Sequence, residues 1–196
     1  MLRIGITGGM GSGKSYVCRM LREMGFPVFD CDTEAKRIME TSPQVITGLK
    51  HLVGEQVYTK EGKINKPVMS AYLFADAEHA SAVSSVVHPA VGQGFSEFVN
   101  ANQGAAACIM ESAILIESGL TPLVDKMVCV TAPLELRVRR VQLRDGLDEE
   151  NIRKRIARQM VEDEQMKYPF DYRIENDGQV NVQEQVDSML KEFKLF

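Results

Sequence analysis

The clearest chemistry lies near the N-terminus, where Gly8-Gly9-Met10-Gly11-Ser12-Gly13-Lys14-Ser15 fits the spacing G-x-x-x-x-G-K-[ST]. Glycines let backbone N–H groups turn inward around an anion with no side chain in the way. A helix opening near Gly13 would aim its positive end at the same anion. Lys14 is a mobile point charge that can reach the outer two phosphates of a nucleoside triphosphate, and the Ser15 hydroxyl suits a Mg²⁺ that bridges them. The nucleotide contacts expected from this phosphate loop are Gly9, Gly11, Ser12, Gly13, Lys14, Ser15 and the adjoining Tyr16. With glycine at about 7% of residues, the four fixed positions should meet by chance roughly once in a hundred chains of this length. The motif leaves kinase, GTPase and motor open.

Phosphoryl transfer to an alcohol benefits from a carboxylate that orients the hydroxyl and accepts its proton. Asp30 and Asp32 end the short apolar run Pro27-Val28-Phe29-Asp30-Cys31-Asp32. Ligands of open α/β sheets bind outside the carboxyl ends of the strands, so this pair is expected on the same edge as the phosphate loop. Position alone supports equally well a capping role for Asp32, ahead of a helix starting at Thr33-Glu34-Ala35. Arginines form the third group. Arg137, Arg140 and Arg144 recur at i, i+3 and i+7, and Arg155 and Arg158 pair on the next helical stretch. Guanidinium forks match the oxygens on which phosphoryl transfer builds charge. The competing reading is a solvated helix surface beside Glu135, Asp148, Glu149 and Glu150, and Arg139, Arg153 and Lys154 are expected there.

The elements that would position these groups follow from periodicity. Residues 2–7 alternate as a strand, and from Ser15 onward Val17, Met20, Leu21 and Met24 fall on one helical face, with Gly25 suited to its C-terminal cap. Residues 27–31 read as a second strand, which makes a βαβ unit and implies parallel pairing. Residues 106–111, 126–130 and 172–175 supply three more strands. Residues 134–144, 148–161 and 182–193 supply helices, and Asn176-Asp177-Gly178 a turn. Residues 33–104 read as helical with no strong strand, and Pro89 is expected to break a helix or start a turn. The expected architecture is an α/β fold with a parallel five-stranded sheet flanked by helices. Its core would be 1–32, 105–144 and 166–196, with a helical acceptor-binding insertion at 33–104. A helical lid at 145–165 would close over the nucleotide and exclude water.

The 196 residues suffice for one domain with inserted subdomains. Hydrophobic residues make up 44% and charged residues 26%, which permits a real core, and the net charge of -4 argues against nucleic acid as a partner. No apolar run approaches the ~20 residues that span a bilayer, and the N-terminal apolar stretch is too short for a signal peptide, so a cytoplasmic location without membrane partners is expected. Cys18, Cys31, Cys108 and Cys129 show no C-x-x-C spacing and are expected as reduced, partly buried thiols.

Along essentially its whole length the sequence resembles the dephospho-CoA kinase family. The resemblance is carried by Ile4 to Ser15, Pro27 to Asp32, His88-Pro89, Ile114-Leu115-Ile116-Glu117, Arg144-Asp145-Gly146, Arg155-Ile156-Ala157-Arg158-Gln159-Met160 and Ile174-Glu175-Asn176-Asp177-Gly178, in that order. It departs at Tyr16, where the family usually has Thr, at Glu111, where it has Asp, and at Arg137, where it has Gln; the segment after Met160 is one residue longer. The resemblance implies a P-loop kinase fold, ATP as co-substrate, Mg²⁺ as cofactor and the ribose 3'-hydroxyl of dephospho-CoA as acceptor. It implies Asp32 as the base with Lys14 and Arg140 as its catalytic companions. Ser15 would serve the metal, Asp30 the metal or the site geometry, and Arg144 and Asn176 the nucleotide. The insertion would hold the coenzyme A portion, with His88 and Arg155 on the acceptor side. A turn or packing role explains His88 otherwise, and an ordinary Asn-Asp-Gly turn explains Asn176 nearly as well. Two alternatives remain: a kinase of another small acceptor such as a nucleoside monophosphate, and a nucleotide-dependent switch. Against the switch, the chain has no Asn-Lys-x-Asp guanine-reading run.

Overall fold

The computed structural model describes residues 1–157, 159 and 167–196. Its centre is a five-stranded parallel sheet. The strands are β1 (Leu2–Thr7), β2 (Val28–Asp30), β3 (Ala107–Glu111), β4 (Lys126–Thr131) and β5 (Tyr172–Glu175), in the spatial order β2-β3-β1-β4-β5. In register, Ile4 of β1 faces Ile109 of β3 and Lys126 of β4, and Val130 faces Ile174 of β5. A strand covered on both faces reads as a continuous apolar run, and Ala107, Cys108, Ile109 and Met110 are all fully buried.

Helix α1 (Lys14–Glu23) follows β1 and lays Val17, Cys18, Met20 and Leu21 against the sheet core. The C-terminal helix, here α8 (Val182–Glu192), brings Val182, Val186, Met189 and Leu190 to the same cluster. Truncating a fully buried side chain here, such as Leu21, would cost about 2–5 kcal/mol. The expected glycine cap of α1 is present: Gly25 has φ +90°, its N–H donates to Arg22 O at 3.0 Å, and the Phe26 N–H donates to Leu21 O at 3.0 Å. Helices α6 (Leu134–Asp145) and α7 (Glu149–Ala157) follow β4. Arg158 and residues 160–166, which include the end of the lid expected at 145–165, lie outside the described residues.

The chain divides into two compact units, residues 1–29 with 99–196, and residues 30–98. The second unit holds α2 (Cys31–Thr41), α3 (Pro43–Val53), α4 (Lys66–Leu73) and most of α5 (Ala77–Ala101). One short antiparallel bridge, Tyr58 to Ile64, interrupts the helices, and the Tyr58 hydroxyl donates to Met39 O at 2.6 Å. Two expectations are corrected here. Pro89 neither breaks a helix nor starts a turn but sits inside the continuous α5. Proline removes the hydrogen bond to the carbonyl four residues earlier, which belongs to Ser85; both residues are exposed, so water can serve that carbonyl. Buried Val83, Val87, Val91 and Phe95, spaced by four, hold the helix together across the proline. The second correction is the start of α2. It begins at Cys31 with Asp30 as its N-cap, two residues before the expected Thr33.

The four cysteines are free and buried. Among the described residues no helix is long and apolar enough to cross a membrane.

Candidate active site

The phosphate loop joins β1 to α1, and its backbone explains its glycines. Gly11 and Gly13 have φ +78° and +103°, a left-handed conformation that other residues adopt at a cost. A Cβ at Gly13 would meet Asn176 Nδ2 at 2.0 Å, one at Gly9 would meet Arg137 Nη2 at 2.2 Å, and one at Gly11 would meet Arg137 O at 2.6 Å. Neighbouring elements thus require glycine from outside the loop, in addition to any demand made by an anion within it. Lys14 is buried, and its Nζ donates to Gly8 O at 2.6 Å and Gly9 O at 3.1 Å. Ser12 Oγ and Thr7 Oγ1 are buried without a hydrogen-bond partner among the described residues.

Beside the loop, the exposed Ser15 Oγ donates to Glu111 Oε1 at 2.6 Å, joining the first turn of α1 to the end of β3. Cys18 lies one turn after Ser15, fully buried; burial first, and then the Glu111 carboxylate, push its thiol well above the usual range. Cys18 therefore stays protonated and packs rather than reacts. Among the described residues no cluster of three or more His, Cys, Asp or Glu could cage a metal. The Ser15–Glu111 pair offers two hard oxygen donors, which suits Mg²⁺, an ion that keeps most of its ligands as water and phosphate.

Helix α6 fronts the loop with two of its three spaced arginines. Arg137 is buried, and its Nε donates to Met10 O at 2.9 Å. Arg140 Nη2 donates to Asn176 Oδ1 at 3.0 Å, and its Nη1 lies 3.5 Å from both Gly11 O and Ser12 O. Asn176 Nδ2 in turn donates to Ser12 O at 2.9 Å. Arg144 turns away, exposed, and forks onto Asp145 at 2.7 and 2.9 Å; that pairing holds the Asp145 carboxyl below its usual range. Arg155 is exposed, and so is Arg139; Arg153 pairs with Glu135 and Glu149 on the surface. The Met10 side chain packs against Val138, Val141 and Ile152, and the Met10 N–H donates to Gln159 Oε1 at 2.6 Å. Tyr16, next to Ser15, is about half exposed.

In the second unit, Asp30 is committed as a cap. Its Oδ1 accepts from the N–H groups of Asp32 at 3.0 Å and Thr33 at 3.2 Å, and its Oδ2 accepts from Thr33 Oγ1 at 2.7 Å. The capping alternative raised for Asp32 therefore belongs to Asp30, and the exposed Asp32 carboxylate takes no part in the cap. His88 is half-buried within α5, and burial pushes its pKa down, so it is neutral at pH 7. Sequence reasoning missed Arg137 and Gln159 as loop contacts. The available signal was the step of three from Arg137 to Arg140, which puts both on one flank of α6.

The profile of the dephospho-CoA kinase family matches residues 2–182. A dephospho-CoA kinase from Bacteroides fragilis is 44% identical over 178 residues, covering 91% of this chain and 86% of its own. The crystal structure of a Thermus thermophilus protein is similar at a TM-score of 0.82 and 34% identity, covering 99% of this chain and 96% of its own. A Campylobacter jejuni dephospho-CoA kinase shares the fold at a TM-score of 0.70 and 20% identity, covering 97% of this chain and 96% of its own.

Proposed function

This chain belongs to the dephospho-CoA kinase family, and from that premise we propose how its residues divide the reaction among themselves. The reaction is the ATP-dependent phosphorylation of the ribose 3'-hydroxyl of dephospho-CoA, giving CoA and ADP. The acceptor oxygen attacks the γ-phosphorus as the bond to the ADP oxygen breaks, and the hydroxyl proton passes to Asp32. Supporting this role, Asp32 lies two residues past the end of β2, is exposed, and is spared capping by Asp30. Asp30 positions it by fixing the first turn of α2.

Backbone N–H groups of the loop receive the phosphates, those of Gly11, Gly13, Lys14 and Ser15 among them, while the Met10 N–H stays with Gln159 and the Ser12 N–H with Gly9 O. Lys14 exchanges the Gly8 and Gly9 carbonyls for phosphate oxygens, a short swing for a side chain already folded over the loop. Ser15 and Glu111 would hold Mg²⁺, which when bound offsets the charge of the outer phosphate oxygens. Arg140 sits beside the loop carbonyls at the limit of hydrogen bonding, close enough to lend charge as the transfer proceeds. Asn176 serves the nucleotide through the loop, since its amide is taken up by Ser12 and Arg140. Tyr16, Arg144 and Arg155 carry the nucleotide and acceptor roles that the resemblance gives them, and Arg144 must release Asp145 to do so. His88, neutral, offers the acceptor one donor and one acceptor nitrogen. ATP and dephospho-CoA are water-soluble, and we assign the chain to the cytoplasm with them.

The observation that carries this reading is the glycine loop, with Lys14 and Ser15 opening α1 and Glu111 bonded to Ser15. Asp32→Asn tests its central assignment. Loss of a general base should lower kcat by about 10²–10⁴, with KM for ATP and the melting temperature unchanged. A variant that keeps normal kcat removes Asp32 from proton transfer.

A further inference from the structure

Arg137 has no part in the division above, yet it is a charged side chain with only 6% of its surface exposed. Burying a guanidinium is costly unless its donors are used. One of them holds the phosphate loop, since Nε donates to Met10 O at 2.9 Å. The rest of the residue also fits the loop closely. Its Nη2 fills the space a Cβ on Gly9 would need, and its own carbonyl fills the space a Cβ on Gly11 would need. The peptide joining Met10 to Gly11 is trans. In a trans peptide the C=O and the following N–H point in opposite directions. A Met10 carbonyl drawn outward to Arg137 therefore turns the Gly11 N–H away from α6. Asn176 does the same two residues on: it draws out Ser12 O and turns the Gly13 N–H the other way.

We propose that Arg137 is a positioning residue for ATP, which sets the Gly11 N–H toward the phosphates by holding the Met10 carbonyl outward. It acts through the backbone of the loop and touches neither reacting atom.

Steady-state kinetics and amide spectra of Arg137→Ala and Arg137→Gln test the proposal. Losing a hydrogen bond from a charged donor should raise KM for ATP about tenfold in Arg137→Ala, with kcat and KM for dephospho-CoA little changed. The nucleotide-induced shift of the ¹⁵N–¹H signal of Gly11 should shrink in the same variant. Arg137→Gln, which keeps a donor for Met10 O, should recover part of both losses. Should Arg137→Ala fail to fold, Gly9→Ala carries the test alone: its Cβ displaces the guanidinium, and it should raise KM for ATP and reduce the Gly11 shift. A wild-type Gly11 shift and wild-type KM for ATP in these variants would overturn the proposal. So would an equal loss for both substrates that follows the melting temperature, because Arg137 would then be structural only.

Discussion

Replacing Gly13 with alanine tests the collar around the phosphate loop most severely. At φ +103° and ψ 18° the backbone is left-handed, which costs a residue with a Cβ about 1–2 kcal/mol. The new methyl would also lie 2.0 Å from Asn176 Nδ2, a separation that real Cβ atoms do not show. Asn176 is only 9% exposed and anchored at both ends of its amide, so it cannot step aside without loss. Displacing it gives up the bond to Ser12 O, about 1 kcal/mol, and the bond from Arg140, about 1.5–3 kcal/mol for a charged donor. The expected destabilisation is about 3.5–6 kcal/mol, large against a usual total stability of about 5–15 kcal/mol. Urea unfolding of the wild type, Gly13→Ala, Asn176→Ala and the double variant reads it directly. With Asn176 already truncated, Gly13→Ala should cost only the left-handed penalty of about 1–2 kcal/mol, so the cycle should be strongly non-additive. An equal cost in both backgrounds would show that Asn176 is not what the methyl meets. A cost near zero in the wild type would show that Gly13 is not held left-handed.

Two further outcomes follow. Glu111→Gln keeps a hydrogen-bond acceptor for Ser15 but loses the charge, and should raise the Mg²⁺ concentration for half-maximal activity by about 10–100-fold; an unchanged Mg²⁺ dependence would place the ion elsewhere. His88 has a folded pKa below its unfolded value near 6.5, so the unfolded chain binds the proton first. Its contribution to stability is therefore present above about pH 6.5 and is lost as pH falls toward the lower folded value. His88→Gln should flatten the stability profile in that window, and identical slopes for wild type and variant would contradict the assignment.

The parts of the fold legible in the sequence are those set by local pattern. Continuous apolar runs marked β3 and β4 because both faces of those strands are covered, and Gly25 marked the end of α1 because a left-handed residue was needed there. Pro89 misled because its local cost is outweighed by four buried side chains spaced along α5, and that packing is a tertiary fact. The cap of α2 misled for a narrower reason. Asp30 and Asp32 are equally good capping residues, and the hydrogen bonds to Asp32 N and Thr33 N decide between them. Lys14, Ser15 and the glycines were legible from spacing. The grip of Arg137, Arg140, Asn176 and Gln159 was not, because it spans more than a hundred residues of sequence and depends on how α6, α7 and β5 return to the loop. Arg144 shares the flank of Arg140, yet its nearest carboxylate, on Asp145, takes its fork.

The most direct measurement is the reaction itself. Purified protein is incubated with Mg²⁺-ATP and dephospho-CoA, the acceptor is weighed and fragmented by mass spectrometry, and Lys14→Ala runs beside it. The account predicts one phosphoryl group gained on the ribose 3'-oxygen, matched by ADP, with little product from Lys14→Ala. ADP released equally fast without acceptor, and no gain in acceptor mass, would contradict it.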